Sequence, residues 1–160
     1  MEKVKIGIIG IGNMGSSHCK FICQDGVENL ELTAVCDIIP ERMEKPKGIT
    51  LPETVKKFTS AEELMDSGVC EAVIIAVPHY LHPPMTIMAL SKGLHVMCEK
   101  PAGVYTKQVK EMNAVAEKSE VMKTVDIMAK GMLGIFVVMI MIYIVIAILG
   151  KVTGGKKKAE

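Results

Sequence analysis

Three glycines with the spacing G-x-G-x-x-G lie near the start of the chain, at Gly10, Gly12 and Gly15. They directly follow an apolar run, Val4–Ile9, and directly precede Ser16–Gln24, which has helical spacing. Between a strand and a helix, the first glycine permits a tight turn, the second lets a phosphate approach the backbone, and the third lets the helix pack closely on the strand. This context favours a dinucleotide-binding turn over a purely structural glycine turn.

Apolar runs typical of buried strands alternate along the chain with stretches typical of helices. The predicted strands are Val4–Ile9, Leu30–Cys36, Glu71–Val77 and Leu94–Cys98, and the predicted helices begin after Gly15, at Ser60, at Pro83 and at Thr106. The stretch from Pro40 to Pro52 is rich in turn residues and is expected to be irregular. The alternation predicts an α/β fold with a doubly wound parallel sheet of the Rossmann type.

An acidic residue stands where the second predicted strand ends, as a dinucleotide-binding fold requires. Asp37 follows Gly15 by 22 positions, close to the spacing of about 20 residues expected for a ribose-binding carboxylate. Its negative charge would repel a 2′-phosphate, Ile38 cannot offset that charge, and Arg42 is five positions away. The sequence therefore predicts NAD rather than NADP as the cofactor.

The charged residues divide the chain into two parts. Residues 1–121 carry 13 Lys+Arg and 16 Asp+Glu, whereas residues 122–160 carry 6 Lys and 2 acidic residues. The acidic first part argues against a nucleic-acid partner, which would require a basic face. The five cysteines are scattered through apolar segments, which indicates buried, reduced thiols in a cytosolic protein rather than a metal site.

A stretch of 20 residues without any charge, Gly131–Gly150, lies near the end of the chain. As a helix it would be about 30 Å long, the thickness of a bilayer core. We therefore expect a single-pass membrane protein with a cytoplasmic nucleotide-binding domain (1–121), a junction (122–130), a transmembrane helix (131–150) and a flexible basic tail (151–160). The lysines of the tail favour the cytoplasmic side themselves, so the orientation stays open.

Two further stretches, AVPHYLHPPMTIMAL (76–90) and HVMCEKPAG (95–103), follow predicted strands. With the glycine turn they resemble the glucose–fructose oxidoreductase/inositol dehydrogenase family (Gfo/Idh/MocA) over about residues 3–120. The resemblance implies an NAD-dependent oxidoreductase for sugars or polyols, with Lys100 near the substrate as a candidate catalytic group. His79 falls where that family varies and is not carried over. The candidate cofactor-binding residues are Gly10, Gly12, Asn13, Met14, Gly15, Asp37, Pro78, His82, Glu99, Lys100 and Pro101.

Members of that family run to more than 300 residues, and their second domain supplies the substrate pocket. We therefore expect this chain to be an incomplete Rossmann-type oxidoreductase that is inactive alone. From Met122 onward, the sequence resembles a small gamma-type subunit of sodium-pumping oxaloacetate decarboxylases, on the basis of GMLGIF and a basic tail. Three hypotheses stay open: a nucleotide domain joined to a membrane segment, a membrane-anchored NAD-binding sensor, and a subunit of a membrane complex.

Overall fold

The computed structural model describes residues 2–153, with side chains given for 2–24, 26–120, 125, 128, 130 and 132–149. The strands in this part of the chain are β1 (Val4–Ile9), β2 (Leu30–Cys36), β3 (Lys56–Phe58), β4 (Ala72–Ile75) and β5 (His95–Cys98). The α-helices are α1 (Asn13–Lys20), α2 (Ala61–Asp66), α3 (His82–Ser91) and α4 (Thr106–Thr153). Single turns of 3₁₀ or π-helix occupy Phe21–Gly26, Pro40–Met43, Pro46–Gly48 and His79–Leu81.

All five strands form one parallel sheet in the order β3-β2-β1-β4-β5. The predicted parallel α/β sheet of Rossmann type is thereby confirmed. From β1 the chain proceeds outward to β3 and then returns to the other side of β1 to form β4. The order of the strands therefore reverses between β1 and β4, and ligands of open α/β sheets bind outside the carboxyl ends of the strands at such a point.

The central strands β1 and β4 are buried on both faces over most of their length, which explains their continuous apolar runs. Successive side chains of a strand point to opposite faces. Ile8 accordingly packs in a cluster with Cys19 of α1, whereas Ile9 packs in a second cluster with Leu64 of α2 and Ala89 of α3. Neither face could accept a polar side chain at these positions without a large desolvation cost.

The short strand β3 was not predicted from the sequence. It has only three residues, two of them lysines, and it lies at the edge of the sheet beside β2. Its pairing with β2 joins Ala34 to Lys56 and Cys36 to Phe58. An edge strand needs a neighbour only on one side and can expose charged side chains to solvent, so it leaves no apolar run in the sequence.

Helix α1 begins at Asn13, three residues earlier than the spacing Ser16–Gln24 predicted, with Gly12 as its N-cap. The helix thus starts inside the glycine motif, and its first unpaired backbone N–H groups belong to that motif. Helix α4 begins at Thr106 as predicted but continues through residues 122–130, where a junction was expected.

The chain divides into two compact units, Met1–Ser119 and Glu120–Glu160. The first unit contains the sheet. In the second, Met132–Leu149 is a helical segment long and apolar enough to cross a membrane, and its side chains are exposed. The predicted basic tail, 151–160, overlaps the end of α4 at residues 151–153, and its remaining residues, 154–160, lie outside the described part of the chain.

Candidate functional site

The three glycines of the motif have different surroundings. Gly10 follows β1 with φ of +93°, and a Cβ atom there would lie 2.7 Å from the carbonyl oxygen of Ala76. A Cβ at Gly15 would lie 1.8 Å from the carbonyl oxygen of Gly10, so α1 could not pack this close to β1 with any larger residue. A Cβ at Gly12 would meet nothing within 4 Å. The first and third glycines are therefore required by the fold, whereas the second leaves open space above the backbone.

Asp37 connects the end of β2 to the glycine turn. Its Oδ2 accepts a hydrogen bond of 2.7 Å from the backbone N–H of Ile11, and its Oδ1 accepts one of 2.9 Å from the N–H of Ile39. The guanidinium of Arg42 lies 3.6 Å from Oδ1. The Asp37 side chain is only 4% exposed, so these contacts fix its orientation and compensate for the loss of water around its charge.

A cavity of about 650 Å³ opens at the carboxyl ends of the central strands. The sequence-predicted site residues that line it are Gly10, Gly12, Asn13, Met14, Asp37 and Pro78. Gly15 does not line the cavity and instead forms the contact between α1 and β1. The fold therefore brings residues that follow β1, β2 and β4 together around one space.

A smaller cavity of about 320 Å³ lies where β4 and β5 end. It shares Met14 and Pro78 with the larger cavity, so the two adjoin. The predicted residues His82, Glu99, Lys100 and Pro101 also line it. The Lys100 side chain is exposed. Every predicted site residue except Gly15 therefore lines one of two adjoining cavities.

His82 lies at the start of α3 and is 2% exposed. Its Nδ1 is 2.7 Å from the carbonyl oxygen of Pro101, and its Nε2 is 2.9 Å from the carbonyl oxygen of Val77. A neutral imidazole can donate to only one of these acceptors, while an imidazolium can donate to both. In either state, the ring bridges the segment after β4 and the segment after β5.

Glu99 is held by a residue of the first helix. The Nε2 atom of His18 lies 2.6 Å from Oε1 of Glu99. The backbone N–H of Lys100 donates to Oε2 at 3.3 Å. The hydrogen bond from His18, followed by smaller contributions of the Lys100 N–H and nearby positive charges, holds the pKa of Glu99 below its usual 4.5 despite partial burial. Glu99 is therefore a carboxylate at neutral pH.

Several residues that line the cavities were not among the predicted site residues. Thr59 and Ser60 line the larger cavity because they follow β3 directly, so recognition of that strand would have identified them. Arg42 lines it from the turn after β2, and His79 lines the smaller one. Among the residues that the structure describes, no group of three or more His, Cys, Asp or Glu side chains could hold a metal ion.

A family model described as the oxidoreductase family with an NAD-binding Rossmann fold, GFO_IDH_MocA, matches residues 4–127. The chain belongs to the Gfo/Idh/MocA oxidoreductase family. Among solved structures, the WlbA dehydrogenase from Bordetella pertussis, in complex with NADH and UDP-GlcNAcA, is similar at 28% identity with a TM-score of 0.67. That similarity covers 75% of this chain and 35% of the WlbA chain.

Curated Gfo/Idh/MocA relatives include sugar and inositol dehydrogenases. Glucose-6-phosphate 3-dehydrogenase of Bacillus subtilis is 33% identical, over 73% of this chain and 31% of its own length. Inositol 2-dehydrogenase of Pseudarthrobacter chlorophenolicus is 34% identical, over 62% of this chain and 29% of its own length. This chain therefore spans about a third of the length of the relatives that it matches. Residues 4–127 correspond to the NAD-binding Rossmann domain of the family.

Proposed function

We propose that this Gfo/Idh/MocA chain is the cofactor-binding part of an NAD-dependent oxidoreductase acting on sugars or polyols. The observation that carries the proposal is the 2.7 Å hydrogen bond between Asp37 and the N–H of Ile11. This bond joins Asp37, the candidate ribose-binding residue, to the glycine turn, and both line the cavity of about 650 Å³. Such a cavity is large enough for a small-molecule cofactor.

The glycine turn suits a pyrophosphate group. The space above Gly12 is open, so a phosphate can reach the backbone there. The N–H groups at the start of α1 have no partner within the helix and provide donors to an anion. Asn13 and Met14 line the cavity at this helix end. A dinucleotide would therefore lie across the turn, with its pyrophosphate against Gly12 and Asn13.

Asp37 favours NAD over NADP. Its carboxylate lines the cavity and can accept hydrogen bonds from the ribose hydroxyls of adenosine. A 2′-phosphate would bring a second negative charge to this nearly buried carboxylate. Arg42, 3.6 Å from Asp37, offsets part of that repulsion, so we expect a preference for NAD rather than exclusion of NADP.

The smaller cavity would receive the nicotinamide end, beside Pro78 and Pro101. The chemistry that NAD supplies when bound is the acceptance of a hydride from carbon. The exposed ammonium group of Lys100, at the rim of this cavity, would stabilise negative charge that develops on the substrate oxygen. Sugars and polyols are the proposed substrates because relatives named for glucose 6-phosphate and inositol match the chain.

The apolar segment Met132–Leu149 is proposed to anchor the protein in a membrane as a single span. Its exposed side chains and its length support this proposal. The resemblance of the sequence from Met122 onward to a gamma-type decarboxylase subunit stays a prediction. It would make membrane-complex subunits the partners of this part of the chain.

Titration calorimetry of NADH into the full chain, purified in detergent, tests the cofactor proposal. We expect binding in the micromolar to millimolar range, and loss of binding in Gly12→Val because the new side chain fills the space for the pyrophosphate. Gly134→Val in α4 is the matched control, since a Cβ there also meets nothing within 4 Å. Equal NADH affinity in wild type and Gly12→Val would overturn the assignment of the glycine turn.

A further inference from the structure

Helix α1 reaches both of the adjoining cavities, which together form the proposed cofactor groove. Its first residue, Asn13, lines the large cavity at the glycine turn. Five residues further on, His18 contacts Glu99, which lines the small cavity after β5. The side chains of His18 and Glu99 are 19% and 15% exposed, so the contact is largely shielded from water. His18 is not part of the glycine motif, and the family resemblance implies no role for it.

The helix that carries His18 is rigidly placed. Gly15 brings α1 so close to β1 that no side chain would fit between them, and Cys19, next to His18, is completely buried in the core. A hydrogen bond from a side chain on such an element fixes its acceptor more firmly than one from a loop. His18 is thus a firm anchor for Glu99.

Glu99 in turn contacts the backbone of the next residue, Lys100. Its own N–H donates to the carbonyl oxygen of Ile75 at 3.0 Å, which continues the pairing of β5 with β4. Its Oε2 accepts from the N–H of Lys100 at 3.3 Å. The carboxylate of Glu99 therefore lies between a fixed donor on α1 and the backbone of Lys100.

We propose that His18 is a positioning residue that acts through Glu99 to hold the Lys100–Pro101 segment in place for the nicotinamide. This inference rests on the proposed cofactor function, since it concerns the geometry of the same groove. One rigid helix would then present the phosphate-binding amides at its start and fix the nicotinamide-side segment through His18. Binding of both the pyrophosphate and the nicotinamide would then depend on α1.

The test compares NADH with ADP-ribose, which contains the adenosine and pyrophosphate but no nicotinamide. The variants, made in the full chain, are His18→Phe, which keeps a ring but removes the donor, and His18→Gln, which keeps an N–H donor. His95→Phe is the matched control, because His95 is an exposed histidine at the start of β5. Dissociation constants and the emission of bound NADH are measured for each protein.

We expect His18→Phe to weaken the affinity for NADH by about five- to tenfold, which is the effect of losing one charge-assisted hydrogen bond. The emission maximum of bound NADH should shift, ADP-ribose affinity should stay unchanged, and His18→Gln should restore most of the NADH affinity. Glu99→Gln should weaken NADH binding less in His18→Phe than in the wild-type chain, because the two residues act through the same hydrogen bond. His95→Phe should behave as wild type.

Two results would overturn the inference while the cofactor function stands. One is NADH binding by His18→Phe with wild-type affinity and emission. The other is an equal loss of NADH and ADP-ribose binding, which would mean that His18 only maintains the fold of α1. Failure of the wild-type chain to bind either ligand would instead overturn the proposed function, and this inference with it.

Discussion

Asp37 combines a structural role with a place in the lining of the proposed cofactor cavity. Its two carboxylate oxygens accept from the N–H groups of Ile11 and Ile39. The bond from Ile11 holds the glycine turn against the end of β2, the bond from Ile39 orders the segment that follows β2, and the same residue lines the large cavity. Arg42, five positions away in sequence, lies 3.6 Å from Asp37. The charge at this position is therefore set by two residues rather than one.

Replacement of Asp37 by alanine should weaken the binding of NADH more than the binding of NADPH. For NADH, the hydrogen bonds to the ribose hydroxyls are lost. For NADPH, this loss is offset because the carboxylate no longer repels the 2′-phosphate and Arg42 becomes free to contact it. We expect the ratio of the two dissociation constants to change by about tenfold, roughly 1.4 kcal/mol. Fluorescence titrations of both reduced cofactors measure it. An unchanged ratio would mean that Asp37 does not face the ribose.

At the scale of elements, α4 combines two segments of different character. Its first part, from Thr106, alternates apolar and charged residues and contributes Met112 to the buried core. The segment Met132–Leu149 has no charged residue, and its side chains are all exposed. A surface helix in water normally has one polar face, and this segment has none. Its composition suits hydrocarbon on every side.

The full chain should therefore stay in membranes after a carbonate wash, because the transfer of each apolar side chain of Met132–Leu149 from water to hydrocarbon lowers the free energy. A variant with Ile140→Lys and Ile144→Lys, which places two charges one turn apart at the centre of the segment, should be released into the soluble fraction. Immunoblots of the two fractions give the result. Recovery of the wild-type chain as a monodisperse soluble protein would contradict membrane insertion.

At the scale of the whole molecule, the described residues form the two adjoining cavities but offer few groups for proton transfer. His18 is engaged with Glu99, and both ring nitrogens of His82 lie against carbonyl oxygens. His79 and Lys100 are the groups that line the small cavity and could face a substrate. Hydride transfer also needs the substrate held about 3–3.5 Å from the cofactor on a defined side.

The 160-residue chain by itself should accordingly show no NADH formation with myo-inositol, glucose or glucose 6-phosphate. It spans about a third of the relatives' length, and one wall of a substrate site cannot hold a near-attack geometry. The assay follows absorbance of NADH, with a relative of full length as the positive control. Turnover that disappears in Lys100→Ala would show that this chain builds a substrate site alone or as an oligomer.

Sequence reasoning predicted the parallel sheet, the strand–turn–helix unit at the glycines and the family. These features depend on local patterns: runs of apolar residues, glycines at fixed spacing, and Asp37 at the end of β2. It missed β3, whose two lysines out of three residues carry no apolar signal. It also missed Thr59 and Ser60 at the cavity, since their location follows from that strand.

Contacts between distant residues were decided only by the tertiary structure. The sequence alone does not indicate that His18 meets Glu99, 81 positions away, or that His82 bridges Val77 and Pro101. Such contacts depend on which helix and strand ends the sheet brings together, and therefore on the order β3-β2-β1-β4-β5. Local spacing specifies which residues can form a strand, a turn or a helix, whereas the packing of all five strands determines which side chains become neighbours.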